Sequence, residues 1–249
     1  MDKSQELDRF RNLRFEDFGR MASDQSLKPF EKIGFPSKFR EGFDKTILED
    51  IKQKVNWDLT NSLVDIGCGC GDLTKLLIAE SGQNGKQVLL VDSTEVLDQL
   101  ENQPHVSKVA GRFPDNQEEV RRNGLVDVVI CYSVFHYVFL EGNALDFIDS
   151  ALSLLKVGGR FLVGDIPNVT KRNRFLLTPE GEAFHKDLMQ TQDKPTVSHF
   201  DLEPGKIDDG FIMGLLSRYR NFGVETYLLP QPSTLPLSNS REDILFIKR

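Results

Sequence analysis

The residues with the clearest chemical potential lie in a glycine-rich segment, residues 64–72, of this 249-residue chain. Gly67, Gly69 and Gly71 alternate with other residues, and Asp65 precedes the first of them by two positions. Glycines at a turn let the backbone approach a ligand closely, because no Cβ stands in the way. We therefore expect a ligand-binding turn here, with an acidic side chain beside it.

A second carboxylate, Asp92, follows the glycines at the end of another apolar segment. An acidic residue about 20 positions after such a turn can accept hydrogen bonds from both hydroxyls of a ribose. The glycines are spaced G-x-G-x-G, whereas dinucleotide sites have G-x-G-x-x-G. The pattern therefore favours a ribose-containing ligand other than NAD, and an NAD-dependent oxidoreductase is the weaker interpretation.

These residues need a sheet to hold them, and the chain alternates apolar segments with amphipathic ones. The alternation predicts a doubly wound and mostly parallel α/β sheet of seven strands, covered on both faces, with an antiparallel hairpin at its C-terminal edge. The glycine turn then lies at the carboxyl end of the first strand. The predicted strands are residues 62–66, 87–91, 106–110, 126–132, 160–163, 223–229 and 243–248, and the predicted helices between them include 73–80, 93–100, 118–123 and 145–155, the last ended by Gly158-Gly159.

Two segments fall outside this alternation. Residues 1–40 mix aromatic and charged side chains and predict a helical cap before a core of residues 41–249. Residues 166–210 are polar and contain four prolines, which predicts an insertion rather than a strand. Additions of this kind often supply lids and specificity, so we expect both segments to build the pocket for a second ligand. Within the cap, Arg20, Lys38 and Arg40 are equal candidates to meet a carboxylate or another anion.

The motifs along the chain resemble, in order and spacing, those of the class I methyltransferase family, the Rossmann-like enzymes that use S-adenosylmethionine. The resemblance covers roughly residues 63–165. It includes the turn from Asp65 to Gly71, Asp92, the fourth strand from Asp127 onward, and Leu155-Lys156-Val157-Gly158-Gly159, which is similar to the family's L-K-P-G-G turn with Val157 in place of proline.

The resemblance implies which residues hold the cofactor. The glycine turn lies against the methionine part, Asp92 holds the ribose, and the segment after the third strand borders the adenine. Arg112 stands where the family often has an acid, so the backbone of Arg112 and Phe113, or Asp115, is expected to make the adenine contact. The implied cofactor-binding residues are Asp65, Gly67, Cys68, Gly69, Asp92, Ser93, Arg112, Phe113 and Cys131.

Methyl transfer to a hydroxyl or a protonated amine is helped by a general base, and histidine suits that role near neutral pH. His136 follows the fourth strand and is our candidate base; packing against the cofactor is the competing interpretation. His185 and His199 are alternatives if the insertion folds over the site. We expect Tyr132, Tyr137 and Phe18 to line the acceptor pocket.

Composition narrows the possible partners. The net charge of -7 argues against a protein that binds nucleic acid through its phosphates, and no apolar run approaches a membrane span of about 20 residues. Three cysteines favour a reducing compartment, and Cys68-x-Cys70 lacks the nearby partners of a zinc site. We therefore expect a cytoplasmic protein that binds neither nucleic acid nor membrane, holds no metal, and has an oligomeric state that the sequence leaves open.

These observations and the resemblance lead to one functional hypothesis. The chain is expected to be an enzyme that transfers a methyl group from S-adenosylmethionine to an oxygen or nitrogen of a small-molecule acceptor, such as a sugar or nucleotide-linked sugar, and releases S-adenosylhomocysteine. The alternative is a methyltransferase-like protein that keeps the fold but acts through a protein partner without catalysis.

Overall fold

A computed structural model describes residues 10, 13–197 and 203–249. Within them, seven strands form one sheet in the order β3-β2-β1-β4-β5-β7-β6. All pairs are parallel except β5–β7 and β6–β7, which are antiparallel, so the predicted fold class is confirmed. The strands are β1 (Ser62–Ile66), β2 (Gln87–Asp92), β3 (Val106–Ala110), β4 (Val126–Tyr132), β5 (Leu155–Pro167), β6 (Glu225–Pro230) and β7 (Arg241–Ile247).

Helices cover both faces of the sheet, with a short 3-10 helix, Trp57–Leu59, before β1. They are α1 (Phe15–Ser23), α2 (Pro29–Lys32), α3 (Ser37–Arg40), α4 (Asp44–Val55), α5 (Asp72–Gln83), α6 (Thr94–Leu97), α7 (Gln117–Arg121), α8 (Phe135–Glu141), α9 (Ala144–Ser153), α10 (Val169–Leu176), α11 (Pro179–Met189) and α12 (Asp209–Asn221).

The sheet separates two apolar cores, because successive strand side chains point to opposite faces. In β4, Val129 and Cys131 join one core, whereas Val128, Ile130 and Tyr132 join the other. Strands that are buried on both sides read as continuous apolar runs, which is why the sequence located β1 to β4 to within a residue. The parallel strands β1, β2 and β4 consequently bring their carboxyl ends to one edge.

The boundary between α9 and β5 differs from the prediction. The helix ends at Ser153, and Leu155 already pairs with Val126 of β4. Gly158 and Gly159 do not end a helix; they lie inside β5, where the Gly158 amide donates to the Lys248 carbonyl at 2.8 Å. Pairing with the C-terminal strand, which is distant in sequence, extends β5 beyond its apolar run.

The two additions lie close together at one point. The predicted insertion contains helices α10 and α11, and Asp187 of α11 pairs with Lys38 of α3 at 3.1 Å. This ion pair connects the helices before the core to the insertion. In the described part of the chain, none of the helices has the length and apolar character needed to cross a bilayer.

Candidate functional site

A cavity of about 1200 Å³, including its open mouth, lies at the carboxyl ends of the strands. There the strand order changes direction, because the chain passes from the edge strand β3 to β4 on the other side of β1. Asp65, Asp92 and Tyr132, at the carboxyl ends of β1, β2 and β4, all line the cavity. Open α/β sheets bind ligands in this crevice, outside the carboxyl ends of the strands. The fold therefore places the glycine-rich turn in the position at which such sheets bind ligands.

The glycine turn needs glycine for two physical reasons. Gly67 and Gly69 have φ angles of +69° and +64°, a region that residues with a Cβ rarely adopt. A Cβ on Gly67 would lie 2.7 Å from Cγ2 of Val134, and one on Gly69 would lie 2.9 Å from Cγ2 of Ile33. The turn is thus enclosed by the segment after β4 on one side and by the residue after α2 on the other.

The Asp92 carboxylate is held by backbone groups on both sides. Its Oδ2 accepts from the Gly69 amide at 2.9 Å, and its Oδ1 accepts from the Ser93 amide at 2.7 Å. Burial raises the pKa of Asp92 to about 6, although these two hydrogen bonds lower it. The side chain lines the cavity in a fixed orientation, with remaining lone pairs available to hydroxyl donors.

Asp65 is a buried carboxylate without a partner. Within the described residues no hydrogen bond or ion pair reaches its oxygens, although it lines the cavity. Burial, and secondly the nearby charge of Asp92, raises the pKa of Asp65 to about 7. A buried carboxylate is costly unless a cation or donor pairs with it. The cavity therefore provides a site for a positively charged ligand group at Asp65.

The other predicted cofactor residues divide into two groups. Cys68, Arg112 and Phe113 line the cavity. Ser93 does not line the cavity. Its hydroxyl oxygen caps α6 by accepting a hydrogen bond from the Val96 amide, and its own amide donates to the Asp92 carboxylate. Cys131 does not line the cavity either, because the alternation of β4 turns it into the opposite core, where it is fully buried.

All three predicted acceptor residues line the cavity. The rings of Phe18 and Tyr137 meet edge to face, with centroids 5.1 Å apart, so α1 touches α8 across the cavity. Tyr132 is buried at the end of β4, with the Arg40 guanidinium 5.8 Å from its ring centroid. Burial raises the pKa of Tyr137 to about 12, so this phenol is neutral near pH 7.

His136 is not among the residues that line the cavity. Its ring packs on Tyr137, with centroids 3.9 Å apart, and its buried Nδ1 has no hydrogen-bond partner among the residues that the structure describes. Burial, and secondly the positive charges of Arg241 and Lys206, lowers the pKa of His136 to about 3. The geometry therefore favours packing over proton transfer for this ring.

The cap contributes to the cavity but the insertion does not. Phe15, Phe18, Lys32, Ile33, Phe35 and Arg40 line it, whereas no described residue between 166 and 210 does. The expectation that the insertion lines this pocket is therefore wrong for its described residues, because α10 and α11 pack outside the cavity. Of the two alternative bases, His185 lies on α11 and does not line the cavity, and His199 lies outside the described residues.

Of the three cap cations singled out in the sequence, Arg40 lines the cavity, as does Lys32 of α2. Arg20 pairs with Asp17 and Lys38 with Asp187, and neither lines the cavity. Arg40 is buried, and its Nε donates to Asp44 Oδ1 at 2.9 Å. In the described part of the chain its Nη atoms donate no hydrogen bond, so one edge of the guanidinium is open to an anion. The sequence marked three candidates equally, and only packing separated them.

Ser133 and Glu141 line the cavity and were missed by sequence reasoning. Glu141 ends α8 and pairs with Arg112 at 3.2 Å, which places a carboxylate beside the residue that replaces the family's usual acid. Ser133 directly follows β4 and donates to Asp165. Ser133 stands in the segment that resembles the family's fourth-strand motif, but its contact with Asp165 and that of Glu141 with Arg112 join residues distant in sequence, so no local signal identified either role.

Comparisons with known proteins agree with this geometry. A family model described as "Methyltransferase domain" matches residues 64–161, which contain the glycine turn, Asp92 and β4. No curated protein matches.

Solved structures show the same fold at low sequence identity. The plantazolicin methyltransferase BpumL, in complex with a monoazolic desmethylPZN analog and SAH, aligns with a TM-score of 0.56 and 14% identity over 99% of both chains. The methyltransferase domain of bacterial CtHen1 aligns with a TM-score of 0.55 and 14% identity over 84% of this chain and 100% of its own. Cofactor-bound Rv0187 from MTB aligns with a TM-score of 0.51 and 12% identity, over 94% and 89%.

The family match covers the glycine turn, Asp65 and Asp92, and the fold is shared with enzymes solved with S-adenosylhomocysteine. The cavity is lined by the Asp65 carboxylate, which has no partner among the described residues, by the backbone-held Asp92 carboxylate and by the Arg40 guanidinium. Residues 64–161 therefore form a methyltransferase domain, and the protein is an enzyme that uses S-adenosylmethionine.

Proposed function

We propose that this enzyme transfers the methyl group of S-adenosylmethionine to an oxygen or nitrogen atom of a small-molecule acceptor. One observation carries the proposal: a single cavity is lined both by Asp65 and Asp92 and by aromatic side chains of the cap and of α8. An acceptor enclosed by those rings would lie beside the group that donates the methyl. Sugars and nucleotide-linked sugars remain candidates, because aromatic rings and a cation can hold them.

The surface supports a small acceptor over a nucleic acid. The basic segment within α10 is engaged by the protein itself: Lys171 donates to the Arg241 carbonyl, Arg172 pairs with Glu203 at 2.5 Å, and Arg174 pairs with Asp209. Phosphate binding requires cations that are free to exchange counterions for phosphates. We infer that this segment ties α10 to its surroundings.

We assign three contacts to the cofactor. Asp92 would accept from the ribose hydroxyls, Asp65 would pair with the α-ammonium group, and the open edge of Arg40 would hold the α-carboxylate. Glu141 and Arg112 border the remaining part of the cavity, beside Phe113, where the adenine would lie. Each assignment matches a charge or donor of the ligand with a group that lacks a complete set of partners.

Bound S-adenosylmethionine supplies an electrophilic methyl group on a sulfonium, so the residues of the chain have to align the acceptor and exclude water. Ile33 lies against the glycine turn, and Phe18 meets Tyr137. We propose that residues 1–40 act as a cap through these contacts, keeping bulk water from the methyl group while the acceptor is held in line.

Calorimetric titration with two ligands tests the assignments. S-adenosylmethionine carries the amino acid part, and 5′-methylthioadenosine lacks it. Asp92→Asn should weaken both ligands about tenfold or more, because each has the ribose. Asp65→Asn and Arg40→Gln should weaken only S-adenosylmethionine. Asp98→Asn, an exposed carboxylate on the helical segment after β2, serves as the matched control and should change neither.

Methyl transfer itself is tested with methyl-labelled S-adenosylmethionine and a panel of sugars, nucleotide-sugars, phenols and amines, with NAD as a negative ligand. Label should appear in a low-molecular-weight acceptor and S-adenosylhomocysteine should accumulate. Failure of the folded wild type to bind S-adenosylmethionine would refute the cofactor assignments. Label transferred only to added protein or RNA would refute the small-molecule proposal.

A further inference from the structure

Two residues at the ends of neighbouring strands have unusual backbone conformations. Ser133, after β4, and Asp165, near the end of β5, have φ angles of +61° and +60°. The other described non-glycine residues with positive φ, Asn56 and Gln190, follow helices as C-caps, where this conformation is common. Ser133 and Asp165 have no such reason, and strain of this kind concentrates at functional sites.

The two side chains are in direct contact. Ser133 Oγ donates to Asp165 Oδ2 at 2.6 Å, and Asp165 Oδ1 accepts from Gln231 Nε2 at 3.2 Å. The backbone of Asp165 is also fixed, because its amide donates to Asp243 Oδ1 at 2.8 Å and its carbonyl accepts from Arg241 at 2.9 Å. These contacts hold the buried Asp165 carboxylate in one orientation. The hydroxyl hydrogen of Ser133 is directed to that carboxylate.

The position of Ser133 gives this contact a chemical use. Ser133 lines the cavity, whereas Asp165 is buried and does not line it. Ser133 also precedes Val134, whose side chain packs on Gly67 of the glycine turn. With its hydrogen directed to Asp165, the Ser133 oxygen has lone pairs left to accept a hydrogen bond from a ligand.

Few other groups on the cavity wall can accept a proton. Asp65 and Asp92 are assigned to the cofactor, and Glu141 pairs with Arg112. Tyr137 is a neutral phenol, and His136 does not line the cavity. Among the described residues, the pair formed by Ser133 and Asp165 combines a hydroxyl that faces the cavity with a buried carboxylate behind it. The ion pair of that carboxylate with Arg241, at 3.5 Å, is longer than the 3.2 Å pair of Glu141 with Arg112.

We propose that Ser133 Oγ accepts the hydrogen bond of the attacking N–H or O–H of the acceptor and that Asp165 receives the proton through it. The new bond forms between the acceptor atom and the methyl carbon as the bond from that carbon to sulfur breaks, and the electron pair remains on sulfur. The acceptor proton moves to Ser133 Oγ while the Ser133 proton moves to Asp165 Oδ2. This inference rests on the proposed function.

Binding of two cofactor analogues tests the inference without a known acceptor. Sinefungin carries an amine where S-adenosylmethionine carries its methyl group, so its N–H groups stand in for the acceptor's donor. S-adenosylhomocysteine lacks any group there. The wild type should bind sinefungin about tenfold more tightly than S-adenosylhomocysteine, as expected of one hydrogen bond to a charged donor.

Ser133→Gly keeps the left-handed backbone accessible and removes the hydroxyl, and Asp165→Asn removes the carboxylate charge while tolerating positive φ. Both variants should lose most of the preference for sinefungin and retain the wild-type affinity for S-adenosylhomocysteine. Ser81→Ala, which removes another buried serine hydroxyl outside the cavity, is the control and should keep the preference.

The outcomes are distinguishable. A wild type without the preference, variants that retain it, or variants that lose S-adenosylhomocysteine as well would each overturn the proton-acceptor role. Failure of the wild type to bind either analogue would instead refute the cofactor assignments under the proposed function.

Discussion

The floor and the roof of the cavity are built by different means. The floor consists of Asp65, Gly67, Gly69 and Asp92, which stand at strand ends and are positioned by the sheet and by backbone hydrogen bonds. The roof consists of Phe18, Ile33, Arg40 and Tyr137, which come from the cap and from α8 and meet mainly through side chains. A backbone-built floor suits a cofactor of constant shape.

The roof can change without disturbing the sheet, because ring and side-chain contacts tolerate substitution more readily than backbone hydrogen bonds in a parallel sheet. We propose that the floor makes most of the cofactor contacts, and that the roof encloses the acceptor and adds smaller contributions to cofactor binding through Arg40 and Phe18. The following predictions test that division, beginning with the largest expected effect.

Gly67→Ala should abolish cofactor binding. The substitution places a Cβ in a left-handed conformation and 2.7 Å from Val134. Strain and overpacking together should lower the free energy of unfolding by about 2–4 kcal/mol, measured by urea denaturation. Gly85→Ala is the control: its φ is +65° but no atom lies within 4 Å, so only about 1 kcal/mol should be lost. Equal losses in the two variants would show that close packing at the floor is unimportant.

Affinity for S-adenosylmethionine should fall more than tenfold between pH 7.5 and 5.5. The pKa of Asp65 in the free protein is about 7, and the ammonium group pairs only with the ionised form, so binding weakens as pH falls through that value. In Asp65→Asn the affinity should fall only about fourfold over the same pH range, because Asp92, with its pKa of about 6, still becomes protonated there. Calorimetry in matched ionic strength provides the measurement, and an unchanged pH profile in Asp65→Asn would remove Asp65 from the ammonium site.

Phe18→Ala should have a moderate effect that is confined to ligands. Loss of the edge-to-face contact with Tyr137 costs about 0.5–1.5 kcal/mol, which corresponds to weaker cofactor binding by about two- to tenfold if the cap closes over it. The urea midpoint of the core should shift little. Phe222→Ala, which removes an exposed phenylalanine outside the cavity, should leave binding unchanged. A loss of core stability without a loss of affinity would identify α1 as structural packing instead.

His136 should show the smallest effect. Its ring resonances, assigned by comparison with His136→Gln, should not move in NMR spectra between pH 8 and 5, because burial lowers the pKa to about 3. Sinefungin affinity in His136→Gln should stay within about twofold of the wild type. A titration midpoint near 6.5 would restore the histidine as a candidate base.

The sequence by itself determined the sheet and the floor. Apolar runs, a glycine turn and Asp92 one strand later are local patterns, and parallel pairing brings their carboxyl ends together wherever they occur. It failed where a residue's role depends on distant partners: Leu155 pairs with β4 instead of ending a helix, and Cys131 faces the far core.

Only the tertiary structure decided the roof and the proton-accepting pair. Arg20, Lys38 and Arg40 look alike in sequence, and packing alone leaves Arg40 facing the cavity. Ser133 and Asp165 are 32 residues apart and meet because β4 and β5 are neighbours. Side-chain contacts between separate elements follow from how those elements pack against one another, and no periodicity within a single element records that arrangement.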